Sequence, residues 1–378
     1  MSTDIKSKKA PSRIQMQLAD FWKEFKQVKF GIIGLIFLVI FILITIFEHF
    51  LIPFPEASTR WRDITYWEDN PRNAPPVWIN WFTEKDYTPT TYMNNLEFEE
   101  KTISPTMSVS TAILEYDYNY DVPPIDLIYR GRFKGSFTLN IVLERPDGNT
   151  INLVNKNFSS PTWKDFRVAI SNEAKNAVQS FAKRFQNVSS QTIKVNSTIF
   201  SEANKEIITN PVPLKGTYKF NINIIKTSED TVIEDPKFIF SGAVSGILGT
   251  DNAKRDIWSG LIAGTKWALF IGLLTSAISI SVGVIYGVVS AYYGGFVDSI
   301  MQRIWEIFMN IPLLPVLIVL SAIFKPSIWS LITMMCLFFW VGPVKTVRSM
   351  ALQIKEETYV EAAKALGASN GRIIFKHM

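Results

Sequence analysis

Four long stretches without a charge and one long stretch of alternating apolar and polar residues predict an α-helical polytopic membrane protein carrying a β-rich, sandwich-like domain outside the bilayer. The 378 residues are 47% hydrophobic and 19% charged, ordinary values until their distribution is examined. Residues 30–47, 267–297, 307–324 and 326–344 contain no Asp, Glu, Lys or Arg. Each run lies near or above the roughly 20 residues that cross a bilayer, so four transmembrane helices are expected.

The first element is a basic segment, residues 1–29, with seven Lys or Arg against three acidic residues. It precedes transmembrane helix 1 at residues 30–48. That helix is expected to stay in the mature chain, because Glu48-His49-Phe50 follows it instead of a small-residue cleavage pattern. Residues 345–378 are also basic, six against three, whereas residues 83–248 are balanced at eighteen against nineteen. The positive-inside rule therefore puts both ends in the cytoplasm and the long middle segment outside. The net charge of +5 reflects that topology. Nucleic acid is not expected as a partner, since no basic face with interleaved aromatics occurs.

Residues 49–82 form a Pro-rich extracytoplasmic segment ending in Pro71-Arg-Asn-Ala-Pro-Pro-Val-Trp-Ile-Asn-Trp-Phe82. Residues 83–248 read mostly as strands. Phe137, Leu139, Ile141 and Leu143 alternate with polar residues, Pro146-Asp147-Gly148 makes a turn, and Ile151 and Leu153 resume the apolar face, which is a hairpin. Tyr218, Phe220, Ile222 and Ile224 repeat the alternation, and 237–240 is a further strand. Trp163, Phe166, Ile170, Ala174, Ala177, Phe181 and Phe185 recur every three or four positions, which predicts a helix. The run Glu115-Tyr-Asp-Tyr-Asn-Tyr-Asp121 has the composition of an amine or sugar site, but a solvated strand or loop is the favoured expectation. Asn157, Asn187 and Asn196 begin Asn-x-Ser/Thr sequons.

Residues 249–344 hold transmembrane helices 2–4. Gly272, Ser276, Ser279, Gly283, Gly287 and Ser290 make a stripe of small residues along the second, read as a helix-packing face. Pro312 and Pro315 are expected to bend the third helix, and Gly342-Pro343 to end the fourth. The single Cys336 lies in the fourth, leaving the outer domain without disulfides. With one Cys and two His, no metal, cofactor or catalytic site is expected.

The most specific motif is the final stretch, Glu361-Ala-Ala-Lys-Ala-Leu-Gly-Ala-Ser-Asn-Gly-Arg-Ile-Ile-Phe-Lys-His-Met378. Ala-rich helix, Gly367 as breaker, then Ile373, Ile374 and Phe375 as an apolar knob make a compact plug for a groove on another protein, with Glu361 to pair with a cation there. With Tyr359-Val360 before it and Arg372 and His377 within it, this stretch resembles the EAA loop of ABC importer permeases. Gly249-Thr-Asp, Arg255-Asp256, Ser259, Tyr292-Tyr-Gly-Gly295, Asp298, Arg303 and Ile311-Pro312 fall in the order seen in the dipeptide/oligopeptide-type permeases. The resemblance is close over residues 249–378 and loose over 14–82. It does not cover 83–248, which is then an inserted domain. Lys254 stands where the family commonly has Gly.

The resemblance implies an importer permease subunit moving peptides. Its expected partners are a second permease subunit, two ATPase subunits, an extracytoplasmic substrate-binding protein and the lipid bilayer. ATP would be bound elsewhere, since residues 260–266 and 367–371 have the wrong spacing for a phosphate loop. Coupling to the ATPase falls on Glu361, Ala362, Ala363 and Gly367, with Ile374 and His377 as further motif positions. Family members continue past this His with a Leu-Pro pair and two more helices, six in all, so the chain is expected to be shortened or completed by another polypeptide. Oligosaccharide or metal-chelate transport is the nearest alternative, and a membrane-anchored receptor a more distant one.

Overall fold

The computed structural model describes residues 20–94, 96–104, 107–169, 172–186, 193–325 and 327–378. Most of the N-terminal basic segment and the Asn187 sequon lie outside the described residues. The strands are β1 (Thr91–Met93), β2 (Glu99–Ser104), β3 (Met107–Tyr118), β4 (Asp126–Glu144), β5 (Thr150–Ala169), β6 (Gly216–Lys226) and β7 (Val232–Ser241). The helices are α1 (Lys29–Ile46), α2 (Glu48–Leu51), α3 (Asn172–Ala182), α4 (Val195–Ile199), α5 (Ile257–Tyr293), α6 (Gly295–Asn310), α7 (Leu313–Ile323), α8 (Ile328–Phe339), α9 (Val341–Lys355), α10 (Thr358–Ala365) and α11 (Asn370–Arg372). Two compact units result: Met1–Glu48 with Ala263–Met378, and His49–Ile262.

In the second unit all seven strands join one antiparallel sheet, ordered β1-β7-β4-β6-β3-β2, with β5 on the other side of β4. It is one continuous, branched sheet folded on itself, since Tyr116 of β3 stacks on Phe240 of β7 with ring centres 3.8 Å apart. Long β4 makes the branch: its first half pairs with β7 and its second half with β6. The alternation legible in β6 holds, with Tyr218, Phe220, Ile222 and Ile224 buried. In β3, Tyr116 and Tyr118 are buried core residues while Glu115 faces Lys219 across the pair at 2.9 Å. The aromatic-acidic run is therefore a half-buried strand as far as Tyr118, and a connection beyond it.

The expected helix from Trp163 onward begins only at Asn172. Trp163 and Phe166 lie in β5, where Phe166 opposes Gly131 of β4. A Cβ on Gly131 would meet the Phe166 ring at 2.8 Å. The glycine thus leaves room for the ring, and Phe166 and Val168 bury with a period of two that outcompetes the weaker helical spacing.

Sheet and Pro-rich segment share the unit. Buried Asp69 takes Arg167 of β5 at 3.2 Å and also Arg130 of β4. Asn70 accepts from the Tyr92 hydroxyl, whose pKa burial raises first and the Asp69 charge second, and donates to the Lys254 carbonyl at 3.0 Å. Lys254 adopts φ 65, the left-handed conformation that a Gly takes readily. Its ammonium donates to the Glu68 carbonyl at 2.8 Å. The turn is therefore compatible with Gly despite the substitution.

In the other unit α1, α5 and the joined stretch Ile328–Lys355 are each long and apolar enough to cross a bilayer, and α6 with α7 makes a fourth if that pair, bent by 79°, is one span. The bend falls at Ile311-Pro312, as the missing N–H of proline predicts; Pro315 is absorbed in the first turn of α7. Gly342-Pro343 does not end the last span. It sits in the first turn of α9, and the chain resumes its helix after a single-residue break at Trp340.

Contacts fix the helix directions. Glu48, just past α1, binds Lys266 of α5 at 2.9 Å and the Leu51 carbonyl accepts from the Trp258 indole at 2.7 Å, so the chain leaving α1 runs against α5. A Cβ on Gly283 would fall 2.6 Å from the Trp340 carbonyl, and one on Gly287 3.0 Å from that of Val344, so α5 and α9 run the same way with backbones close. Asp298 meets Arg348 and Trp305 meets Val341, so α6 runs against them. The small-residue stripe is, at these positions, a packing face.

Candidate coupling site

The final stretch is built on the ends of α5 and α9. Helix α9 stops at Lys355, whose ammonium donates to the Ala291 carbonyl at the end of α5, 3.2 Å away. This satisfies one of the carbonyls that a helix C-terminus leaves open. Helix α10 starts after Glu357, which gives it no side-chain cap, and ends in a Schellman turn: Gly367 N–H donates to the Lys364 carbonyl and Ala368 N–H to that of Ala363, both at 3.0 Å. The turn needs a left-handed residue, and Gly367 has φ 80 with nothing within 4 Å of a would-be Cβ. Ser369 then caps α11, accepting from Arg372 N–H, and a π-helical turn, Ile373–His377, closes the stretch.

Four points seat the loop on its own chain. Ile374 packs among Val288, Ala291 and Ala351, and Ile373 is fully buried. The Tyr292 hydroxyl donates to Asn370 Oδ1 at 2.8 Å, and that of Tyr359 to the His377 carbonyl at 3.2 Å. A groove of about 850 Å³ remains between these elements, lined among others by Tyr292, Lys355, Glu356, Glu361, Lys364 and Asn370.

The predicted residues divide accordingly. Glu361, Ala362 and Gly367 are exposed, Ala363 and His377 are half-buried, and Ile374 points inward. The knob is therefore corrected: Ile374 anchors the loop to α5 and α9, Ile373 is buried, and of the three only Phe375 projects, 75% exposed. Leu366 joins it at 88% exposure. With Tyr359, these are the large apolar side chains that the loop leaves open. The sequence carried this signal: Leu366 lies seven residues beyond exposed Tyr359 and three beyond Ala363, off the stripe of buried Val360. Tyr292, Lys355 and Asn370 were missed as the seat because a hydroxyl, an ammonium and an amide far apart in sequence show no periodicity.

Beneath the loop, the Asp298 carboxylate of α6 accepts the Arg348 Nε of α9 at 2.8 Å and its second nitrogen at 2.5 Å, plus the Ser290 hydroxyl of α5. Gln302 donates to the same Ser290 oxygen at 3.1 Å. One carboxylate thus joins three helices.

Comparison with known proteins follows these boundaries. Residues 257–378 match the binding-protein-dependent transport system inner membrane component, and residues 17–76 the N-terminal transmembrane domain of oligopeptide transport permease C. Over 131 residues, 35% of this chain, it is 40% identical to a peptidoglycan transport system permease of Agrobacterium fabrum, covering 34% of that protein. The dipeptide transport permease of Bacillus subtilis is 40% identical over 131 residues and 41% of its length, and the oligopeptide permease of the same species 35% identical over 43% of its length. The chain thus spans about two fifths of the relatives it matches. By these matches, residues 17–76 and 257–378 are similar to the membrane components of dipeptide and oligopeptide transport systems.

Proposed function

We propose that the chain is a permease subunit of an ABC importer that moves dipeptides or oligopeptides across the cytoplasmic membrane, driven by ATP hydrolysis in two separate ATPase subunits. A second permease subunit and an extracytoplasmic binding protein complete the assembly. One observation carries the coupling role: the loop buries Ile373 and Ile374 while offering Glu361, Leu366 and Phe375 outward around a Schellman-capped turn. That is a rigid two-helix plug with an apolar tip and one anionic side, suited to a groove with a basic residue. A membrane-anchored receptor has no use for it. Peptide is favoured over oligosaccharide or metal-chelate by the dipeptide and oligopeptide names of its relatives.

Helix directions support both termini lying on one side. With α1 against α5, α5 along α9 and α6 reversed, the N-terminus and the loop share a face if α6 and α7 carry the chain back across. Basic residues at both ends make that face the cytoplasmic one.

The test is capture of the ATPase subunits by the assembled transporter. Glu361→Lys turns an attraction into a repulsion of about 2 kcal/mol, and capture should fall roughly thirtyfold. Gly367→Val strains the turn at φ 80 and should weaken capture as well, whereas Gly367→Asn, tolerant of that conformation, should be milder. Unaltered capture by Glu361→Lys and Gly367→Val would sink the assignment.

A further inference from the structure

We propose that Asp298 and Arg348 are a positioning pair that carries displacement of the coupling loop into the bent helices α6 and α7; this rests on the coupling reading above. The loop's hydrophobic seat touches α9 at Ala351, one turn from Arg348, so a push on the loop arrives first at that guanidinium. Arg348 grips Asp298 through two nitrogens, a fork that fixes orientation as well as distance. Asp298 lies in the first turn of α6. Two turns further along, Trp305 donates to the Val341 carbonyl at 2.8 Å and holds α6 against the start of α9.

The pair is well shielded, with 17% of the Asp298 and 29% of the Arg348 side chain exposed. Shielding makes it firmer than a surface pair and makes losing one partner costly. Ser290 adds the end of α5, the same helix whose Ala291 and Val288 receive Ile374. Loop, α5, α6 and α9 thus meet within a few residues of one carboxylate. Beyond Asn310 the path turns by 79° into α7. A tilt imposed on α6 at Asp298 therefore moves the bend at Ile311-Pro312, where an interrupted ladder yields most easily.

The experiment uses the complete transporter in lipid nanodiscs, with dialanine and its binding protein as stimulus. Three readouts are taken: ATPase capture, basal hydrolysis and stimulated hydrolysis. Asp298→Asn and Arg348→Met should each lower stimulated hydrolysis about tenfold while capture stays within about twofold, since a coupling free energy is lost and the docking surface is kept. The reversed pair, Asp298→Arg with Arg348→Asp, should recover a substantial part of the stimulation, which a merely structural loss would not do. Ser290→Ala, a small change unable to prevent folding, should reduce stimulation only mildly. Undiminished stimulation in both single variants overturns the proposal, as does loss of capture in step with stimulation, which would make the pair a support for the loop alone. Failure of the unmodified transporter to capture the ATPase overturns the coupling reading together with this one.

Discussion

Arg145 is the most deeply committed charge among the described residues of the sheet-bearing unit. Its side chain is fully buried, donates to the carbonyls of Thr198 at 3.2 Å and of Ser201, lies 4.8 Å over the Phe181 ring and pairs with Asp147 at 3.0 Å. Burial acts most strongly on Asp147, pushing its pKa up. The Arg145 guanidinium and the Asn149 donors outweigh that, and the net result is a carboxyl below its ordinary value. A depressed pKa contributes stability that is present above the unfolded value of about 3.9 and lost as pH falls through the folded one. Asp251 is lowered in the same sense: burial opposes it, and Arg255 with two backbone donors prevails. Asp147→Asn should therefore destabilise the sheet-bearing unit by about 1–3 kcal/mol at pH 7 and flatten its acid limb below about pH 4, measured by urea unfolding across pH. Unchanged stability with an unchanged acid limb would refute the role. At this scale the sequence showed the turn at Pro146-Asp147-Gly148 and the outward Glu361, because turn chemistry and helix spacing are local. It did not show Arg145 as a core residue or Ile374 as an anchor, since burial of either depends on elements distant in the chain.

Strands were legible where one face is buried and the other solvated, as in β6 and the paired halves of β4 and β5. The error at Trp163 to Ala169 arose where two periodicities overlap, and it was resolved by a partner that sequence spacing cannot reveal, Gly131. The prolines were read correctly at Ile311-Pro312 and too strongly at Gly342-Pro343: a proline in a first turn removes no bond that the turn requires. The Asp69 clamp adds an expectation for the excised elements. A fragment of residues 49–262 should give a β-rich circular dichroism spectrum and a cooperative melt. A fragment of residues 83–248 lacks Asp69, leaves Arg130 and Arg167 without it, and should melt about 5–10 °C lower or fail to fold. Equal melting of the two would remove the clamp's significance, and a helical spectrum would contradict the sheet.

For the whole molecule, the charge asymmetry predicts one topology, with both ends cytoplasmic and residues 83–248 outside. Single cysteines placed at positions 10 and 360, in a Cys336→Ala background, should react with an impermeant maleimide only after lysis, and one at 150 in intact cells. Labelling of 150 only after lysis would reverse the orientation. Hydropathy alone gave four spans because it counts apolar residues; the structure makes the third conditional on a 79° bend that composition does not record. Family motifs located the loop, and its surface chemistry had to wait for the fold.

The seven-stranded sheet begins and finishes at one spot. Gly242 N–H donates to Thr90 Oγ1 at 3.0 Å, and Thr90 N–H to the Val244 carbonyl at 3.0 Å. Just below, Asn73 N–H donates to the Asp251 carbonyl and Ser245 N–H to that of Pro75, at 3.1 and 2.9 Å. Chain that departs and returns through adjacent residues closes its own circuit, so its length is decoupled from the span that holds it. A neck of this kind lets a lineage lengthen, shorten or exchange what hangs from it while residues 71–76 and 245–251 keep their mutual ladder intact.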